Sequence, residues 1–249
     1  VILDHPDVRR MLITMKSLTA AVRALCLDAA LSLDLSNSND KQPASKENAR
    51  ASFLIPIAKA FSTDIGCRVA DIGIQVHGGM GYVEETGVAQ VFRDVRVTAI
   101  YEGTNGIQAI DLVGRKLADS GKAANGLIDE IKLTIRNCNN HEDQQIKEMG
   151  TKLSKSLVCL ESTLNWMLKQ EDFNNRLAGA TPFLQAFGMI LGANYLVKAA
   201  MKTDALDRKS LAQFYCVNIL PEMEAYGVIS QSGQKSLYNF TDNFFGFSQ

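Results

Sequence analysis

The chain has 249 residues, 46% of them apolar, with 26 Lys and Arg against 27 Asp and Glu, for a formal net charge of −1. That length supports a sizeable core in one or two domains. The charge balance leaves no overall field to draw in nucleic acid or anionic lipid, and no apolar run is expected to reach membrane-spanning length.

Only five prolines, helical periodicity almost throughout and no alternating strand pattern predict an all-α protein. Pro6 suits a first helical turn, with Asp4 or His5 as its cap. From there Val8, Met11, Leu12, Met15, Leu18, Ala21, Val22, Leu25 and Ala29 keep an i, i+3, i+4 pattern to about Leu35. The polar stretch Ser36–Lys46 is expected as a surface loop. A second long helix is expected from Glu47 to Gln75 through Phe53, Ile57, Ala60, Phe61, Ile65, Val69 and Ile72, with Pro56 kinking it or marking its true start. A glycine-rich turn follows at Gln75–Tyr82, then a short helix near 86–94, a loop at Tyr101–Asn105 and a helix from Gly106 to about Leu117. Asp119–Asn125 is the expected domain boundary. Beyond it, helices are expected near 126–138, 142–170, 174–202 and 206–226. The tail from Phe240 to Phe247 holds four phenylalanines and is expected to dock on a surface, because free aromatics invite aggregation.

Five cysteines (Cys26, Cys67, Cys138, Cys159 and Cys216) stand singly, which suggests free thiols in a reducing compartment. No metal-type spacing occurs. His141-Glu142-Asp143 reads as a charge cluster at a helix start, and no metal site is expected. Nothing resembles a signal peptide. A first residue of Val1, in what reads as the middle of a fold, suggests the C-terminal part of a longer protein.

The chemistry concentrates in two short stretches. Glu102 precedes Gly103 and Thr104 where a helix would start, so a carboxylate lies beside free backbone N–H groups. In the turn upstream, Gly78, Gly79 and Gly81 let the backbone come close to something bulky and negatively charged, and Gln75 can donate and accept through one amide. Each feature also has a purely structural reading. Glu102 is then a capping glutamate, Thr104 an N-cap, and the glycines a helix stop with a tight turn.

Taken together, Ala58-Lys59-Ala60-Phe61 through Asp64, the Gln75–Tyr82 turn, Arg93-Asp94 and Tyr101–Gln108 resemble the acyl-CoA dehydrogenase family in order and spacing. The resemblance covers residues 1 to about 118. The remainder looks like the helical C-terminal region of a longer branch that includes 3-methylmercaptopropionyl-CoA dehydrogenases. It implies a C-terminal helical-bundle domain over residues 1–119 and a helical extension domain over 120–249. The implied cofactor is FAD, and the implied activity is oxidation of acyl-CoA to trans-2-enoyl-CoA, with Glu102 taking the α-proton while a hydride leaves the β-carbon for the flavin. By the same resemblance Gln75, Val76, His77, Gly78 and Gly79 touch the FAD of a neighbouring subunit. Thr104 and Gly106 contact an FAD pyrophosphate, Gly106 through backbone only, because the Gln that some members carry there is missing. Tyr101 and Gly103 line the acyl site.

The Arg93-Asp94 step is expected to be a structural ion pair within Val91–Arg96. Lys59 and Asp64 read as ordinary charged positions on a partly buried helix. The implied partners are an acyl-CoA, an electron-transfer flavoprotein and further copies of the chain in a homodimer or homotetramer. No nucleic acid or membrane partner is expected. The implied compartment is the cytoplasm of a bacterium or the mitochondrial matrix of a eukaryote. Because the flavin and CoA contacts of upstream domains are missing, this stretch alone is expected to be inactive. The alternatives are an acyl-CoA oxidase, a DNA-binding relative, or a non-catalytic helical module. The near balance of charge after residue 120 argues against DNA binding, and the retained Glu102, Thr104 and Gln75 argue against decay.

Overall fold

The computed structural model describes residues 1–37 and 41–246; among them every regular element is helical. Helix α1 (Pro6–Ser36) starts with proline at its first position, where a missing N–H costs nothing. His5 occupies the cap position without a side-chain cap bond, and the Asp4 carboxylate instead takes the chain's amino terminus, so neither expected cap forms. Met11, Leu18, Ala21, Leu25 and Ala29 are buried, as the periodicity requires, while Leu12 stays over a third exposed.

Helix α2 (Lys41–His77) begins earlier than expected. Ser36 still belongs to α1, so the loop expected over 36–46 is mostly helix; residues 38–40 lie outside the described part. The run after Lys41 is rich in Ala, Lys and Glu, good helix formers that simply prolong α2. Pro56 sits inside this helix and does not mark its start. Phe53, Ile57, Ala60, Phe61 and Ile65 are all buried, on a helix packed against α1 and a later core helix.

At His77 the chain turns through Gly78, whose φ of 61° is in the left-handed region. The one-turn helix α3 (Gly79–Tyr82) carries Gly81, buried so tightly that a Cβ there would stand 2.3 Å from the carbonyl oxygen of Ile74. Helix α4 (Val88–Arg96) then runs back along α2. A 3₁₀ turn, Val97–Ala99, leads to the Glu102 loop, and α5 (Asn105–Asp111) continues as a π-helical segment over Leu112–Lys116.

Asp119 accepts backbone N–H bonds from Lys122 and Ala123 at 3.0 and 2.9 Å, so α6 (Lys122–Asn139) starts within the stretch expected to be linker. Asp143 likewise caps α7 (Gln144–Lys169), accepting from Gln145 N, and its own N–H donates to His141 Nδ1. The single helix expected over 174–202 is two. Helix α8 (Phe173–Ala178) and α9 (Ala180–Ala200) are split at Gly179, where a Cβ would strike the Ser230 carbonyl oxygen at 2.2 Å. The helix expected over 206–226 is also two, α10 (Leu206–Asn218) and α11 (Glu222–Ser230), parted at Pro221, which has no N–H to continue the ladder.

Helix α9 organises the whole. An 18-residue window of it has mean hydropathy 1.2, long and apolar enough to cross a membrane, contrary to the expectation from sequence. In this fold 83% of that window is buried among α1, α2, α5, α7, α10 and α11. A helix apolar all round is what a central core position requires. Phe187 packs edge-on against Phe53 of α2, with centroids 5.1 Å apart, and Gly188 lets α9 approach Phe61. One continuous core therefore runs from Leu18 in α1 to Met223 in α11. At its edge Arg50 reaches Asp28 at 2.7 Å and Glu130 at 3.0 Å, and the Tyr195 hydroxyl donates to Asp28. Burial opposes the charge on Arg50, but the two carboxylates outweigh it and raise the guanidinium pKa.

In the tail, Phe240, Phe244 and Phe245 pack on one another and stay more than half exposed, so within the chain they cover only each other; Phe247 lies outside the described residues.

Candidate functional site: an anchored glutamate turn

Tyr101–Thr104 leaves regular structure between the 3₁₀ turn and α5. Glu102 has φ 52°, unusual for a residue with a Cβ, and Gly103 follows at φ 83°. Two successive left-handed residues cost of order 1–3 kcal/mol where one is not glycine, and they persist only where surroundings over-determine them. Those surroundings are specific. Lys59 Nζ of α2 donates to the Gly103 carbonyl at 2.8 Å and to Asn105 Oδ1 at 2.9 Å. Asn105 Nδ2 donates to Asp64 Oδ1 at 2.7 Å, to Thr63 Oγ1 at 2.9 Å and to the Ala60 carbonyl at 3.2 Å. The other Asp64 oxygen accepts from Gln185 Nε2 of α9 at 2.6 Å. From the far side, Gln108 Nε2 donates to the Glu102 carbonyl at 3.2 Å. Thr104 caps α5, its Oγ1 accepting from Ile107 N at 3.4 Å.

Around this turn the surface is apolar. Ile100, Tyr101, Ile107 and Ile110 are each between 43% and 55% exposed, and Glu102 itself is exposed. Tyr101, Glu102, Gly103 and Thr104 are all exposed, so the turn faces outward from the described part of the fold. Gly106 is exposed in the first turn of α5, with only Thr104 Oγ1 near where its Cβ would stand, at 3.9 Å.

The glycine turn is a separate feature at the C-terminal end of α2. Roughly 16 Å of helix separates Asp64 from Gln75 at 1.5 Å per residue. Gln75 and His77 are exposed and Val76 half-buried. His77 Nδ1 lies 2.8 Å from the Gly73 carbonyl, which can only accept, so that nitrogen donates. Gly78 and Gly79 are exposed, with no heavy atom within 4 Å of where a Cβ would stand. A groove of about 540 Å³ beside them is lined by Ile74, Tyr82, Val83, Glu84, Phe92 and Arg93, among others. Arg93 holds Glu84 with two bonds of 2.9 and 2.6 Å, so its partner is Glu84 rather than the expected Asp94. That pair ties α4 to the turn before it and is more than half exposed on both sides.

The structure thus gathers Tyr101, Glu102, Gly103, Thr104 and Gly106 into one turn and sets Gln75, Val76, His77, Gly78 and Gly79 apart. Sequence reading missed the anchors. Lys59 and Asp64 read as ordinary charged positions on a partly buried helix, and Gln185 was not singled out. One signal was available: Gln185 is a lone amide in the apolar run Pro182–Leu191, and a buried amide demands a partner.

A family model described as acyl-CoA dehydrogenase, C-terminal domain, matches residues 1–117, and one described as acetyl-CoA dehydrogenase C-terminal like matches residues 127–241. The 3-methylmercaptopropionyl-CoA dehydrogenase of Ruegeria pomeroyi is 37% identical over 207 residues, 82% of this chain and 35% of that protein. The fold is also that of ACDH-11 from Caenorhabditis elegans, solved in complex with C11-CoA (TM-score 0.76, 21% identity, 96% of this chain and 41% of that one). An acyl-CoA dehydrogenase from Bacillus anthracis solved with FAD matches at TM-score 0.59 and 18% identity, over 96% of this chain and 47% of that one. The chain spans between about a third and a half of the length of these proteins.

Proposed function

Because the chain belongs to the acyl-CoA dehydrogenase family through two C-terminal domains, we propose that it supplies the general base and part of the flavin site of an FAD-dependent acyl-CoA dehydrogenase. The observation that carries this reading is the left-handed Glu102, pinned through Gly103 and Asn105 to α2. A glutamate that only capped a helix would have no use for such strain; a base needs a fixed carboxylate.

In this reading a Glu102 carboxylate oxygen takes the α-proton of an acyl-CoA thioester as the Cα–H bond breaks. The exposed Tyr101, Ile100 and Ile107 offer apolar surface to the acyl chain. A covering segment that excludes water from the turn would leave the carboxylate free of competing water and facing the substrate. FAD, when bound, supplies the acceptor for the hydride that leaves the β-carbon.

The residues present fit that group. The open space over Gly78 and Gly79 admits a large ligand to the backbone. Gln75 adds a neutral donor and acceptor at the same exposed end of α2. The distance of this turn from Glu102 supports contact with the flavin of a second subunit rather than with the one served by the same chain's base. Exposed Leu27, Leu31 and Leu35 on α1 support a homodimer or homotetramer. Electrons would pass on to an electron-transfer flavoprotein.

Anaerobic titration of the full-length, FAD-loaded protein with acyl-CoAs of graded length tests the reading. The panel starts with 3-methylmercaptopropionyl-CoA, the substrate named for the relative 37% identical over 82% of the chain. Bleaching of the oxidised flavin band by one class is expected; no bleaching by any, with FAD bound, would defeat the proposal.

A further inference from the structure

We infer that Gln185, in the C-terminal half of the chain, is a positioning residue for the Glu102 turn, acting through Asp64 and Asn105. This rests on the reading of Glu102 as the base. The linkage is a continuous run of short hydrogen bonds. Gln185 Nε2 donates to Asp64 Oδ2 at 2.6 Å, Asp64 Oδ1 accepts from Asn105 Nδ2 at 2.7 Å, and Lys59 Nζ joins Asn105 Oδ1 to the Gly103 carbonyl at 2.9 and 2.8 Å. Asp64 is the pivot, because each of its oxygens takes one donor from a different helix. Charge-assisted bonds of this length are about twice as strong as neutral ones. With both made, the carboxylate is held in one rotamer and the Asn105 amide has one place to go.

The reach of Gln185 is itself fixed. It is 8% exposed on the most buried helix of the fold. Three residues further along, Gly188 lets α9 sit against Phe61, with a Cβ-to-ring distance of only 2.4 Å had a Cβ been present. That approach sets the spacing between α9 and α2 one turn before Asp64. The C-terminal half, which sequence reading treats as scaffold, therefore reaches the catalytic turn through one amide. Without it, Asp64 loses one of its two donors and can turn toward water, and Asn105 and the Gly103 carbonyl lose their register.

The test uses the full-length, FAD-loaded protein with Gln185→Leu, and with Val197→Ala as the control. Val197 is fully buried on the same helix but makes no part of the linkage. Amide hydrogen exchange over residues 101–108, where the N–H groups of Tyr101, Ile107 and Gln108 are bonded, is the first readout. About 10-fold faster exchange is expected in Gln185→Leu and wild-type exchange in Val197→Ala. The second readout is stopped-flow flavin reduction, where a saturating rate about 10-fold lower with unchanged acyl-CoA affinity is expected. Should Gln185→Leu fold poorly, Gln185→Asn shortens the amide by one methylene and should move both readouts the same way by less. Unchanged exchange in the Gln185 variants, or equal acceleration in Val197→Ala, would overturn the inference. Faster exchange in a protein whose wild type reduces no flavin would sink the assignment of Glu102 instead, and leave the coupling standing.

Discussion

The Asn105 amide donates to Asp64 Oδ1 at 2.7 Å, across 41 residues of sequence, and this contact fastens the turn that carries Glu102 to the middle of α2. Asn105 is also the first residue of α5, so the same side chain that begins a helix fixes where that helix starts. The strain at Glu102 persists because Lys59, Thr63 and Asp64 hold Gly103 and Asn105 just after it, and Gln108 holds its own carbonyl.

Replacing Asn105 by alanine is accordingly expected to spare FAD binding and slow flavin reduction by about 10- to 100-fold, the usual consequence of a base displaced by up to 1 Å. Lys59→Met should act in the same direction, because the Gly103 carbonyl loses its donor. Rates at saturating acyl-CoA, measured beside flavin content, check both; wild-type rates would show that the turn holds itself.

The α9–α2 contact gives a stability prediction whose sign opposes helix propensity. Alanine at position 188 would favour the helix by about 1 kcal/mol on intrinsic preference alone. Here its Cβ would fall 2.4 Å from Phe61 Cγ, in a core with no room to give. Overpacking of that kind costs about 1–3 kcal/mol, so Gly188→Ala should lower the urea midpoint, and Phe61→Leu in the same chain should recover part of the loss. A raised midpoint would mean that α9 does not pack on α2 as described.

Acid should unfasten the start of α7. The Lys209 ammonium, 2.8 Å from the carboxylate, and the Gln145 N–H hold the Asp143 pKa below the ordinary carboxylate value. A carboxylate depressed in the folded state stabilises it above the unfolded pKa of about 3.9, and that contribution fades as pH falls through the folded value. Asp143→Asn keeps a capping oxygen but loses the charge. The gap in melting temperature between wild type and this variant should be full at pH 6 and close below pH 4. A gap that stays constant with pH would place the effect in the cap rather than in the ion pair.

What could be read from sequence followed from locality. The helical class came from periodicity, and the buried faces of α1 and α2 came with it. Glu102, Thr104 and the glycines were visible as a motif within a few residues. Splits at Gly179 and Pro221 were missed because the apolar pattern runs through both, and only the close approach of Ser230 to Gly179 reveals the first. The anchors were missed for a different reason. Lys59 and Asp64 meet the turn over 40 or more residues, and Gln185 meets Asp64 over 121, separations at which no spacing rule operates. Arg93 shows the converse error. Its sequence neighbour Asp94 looked like the partner, but adjacent helical residues do not face each other, and Glu84 across the turn does.

Glu102→Gln in the full-length, FAD-loaded protein tests the central claim most directly. The substitution keeps size and hydrogen bonding but removes the base. With wild-type flavin content, anaerobic reduction by the best acyl-CoA should fall by about 10²- to 10⁴-fold, the range lost when a positioned general base is removed. Reduction at the wild-type rate would contradict the account and move the base to another residue.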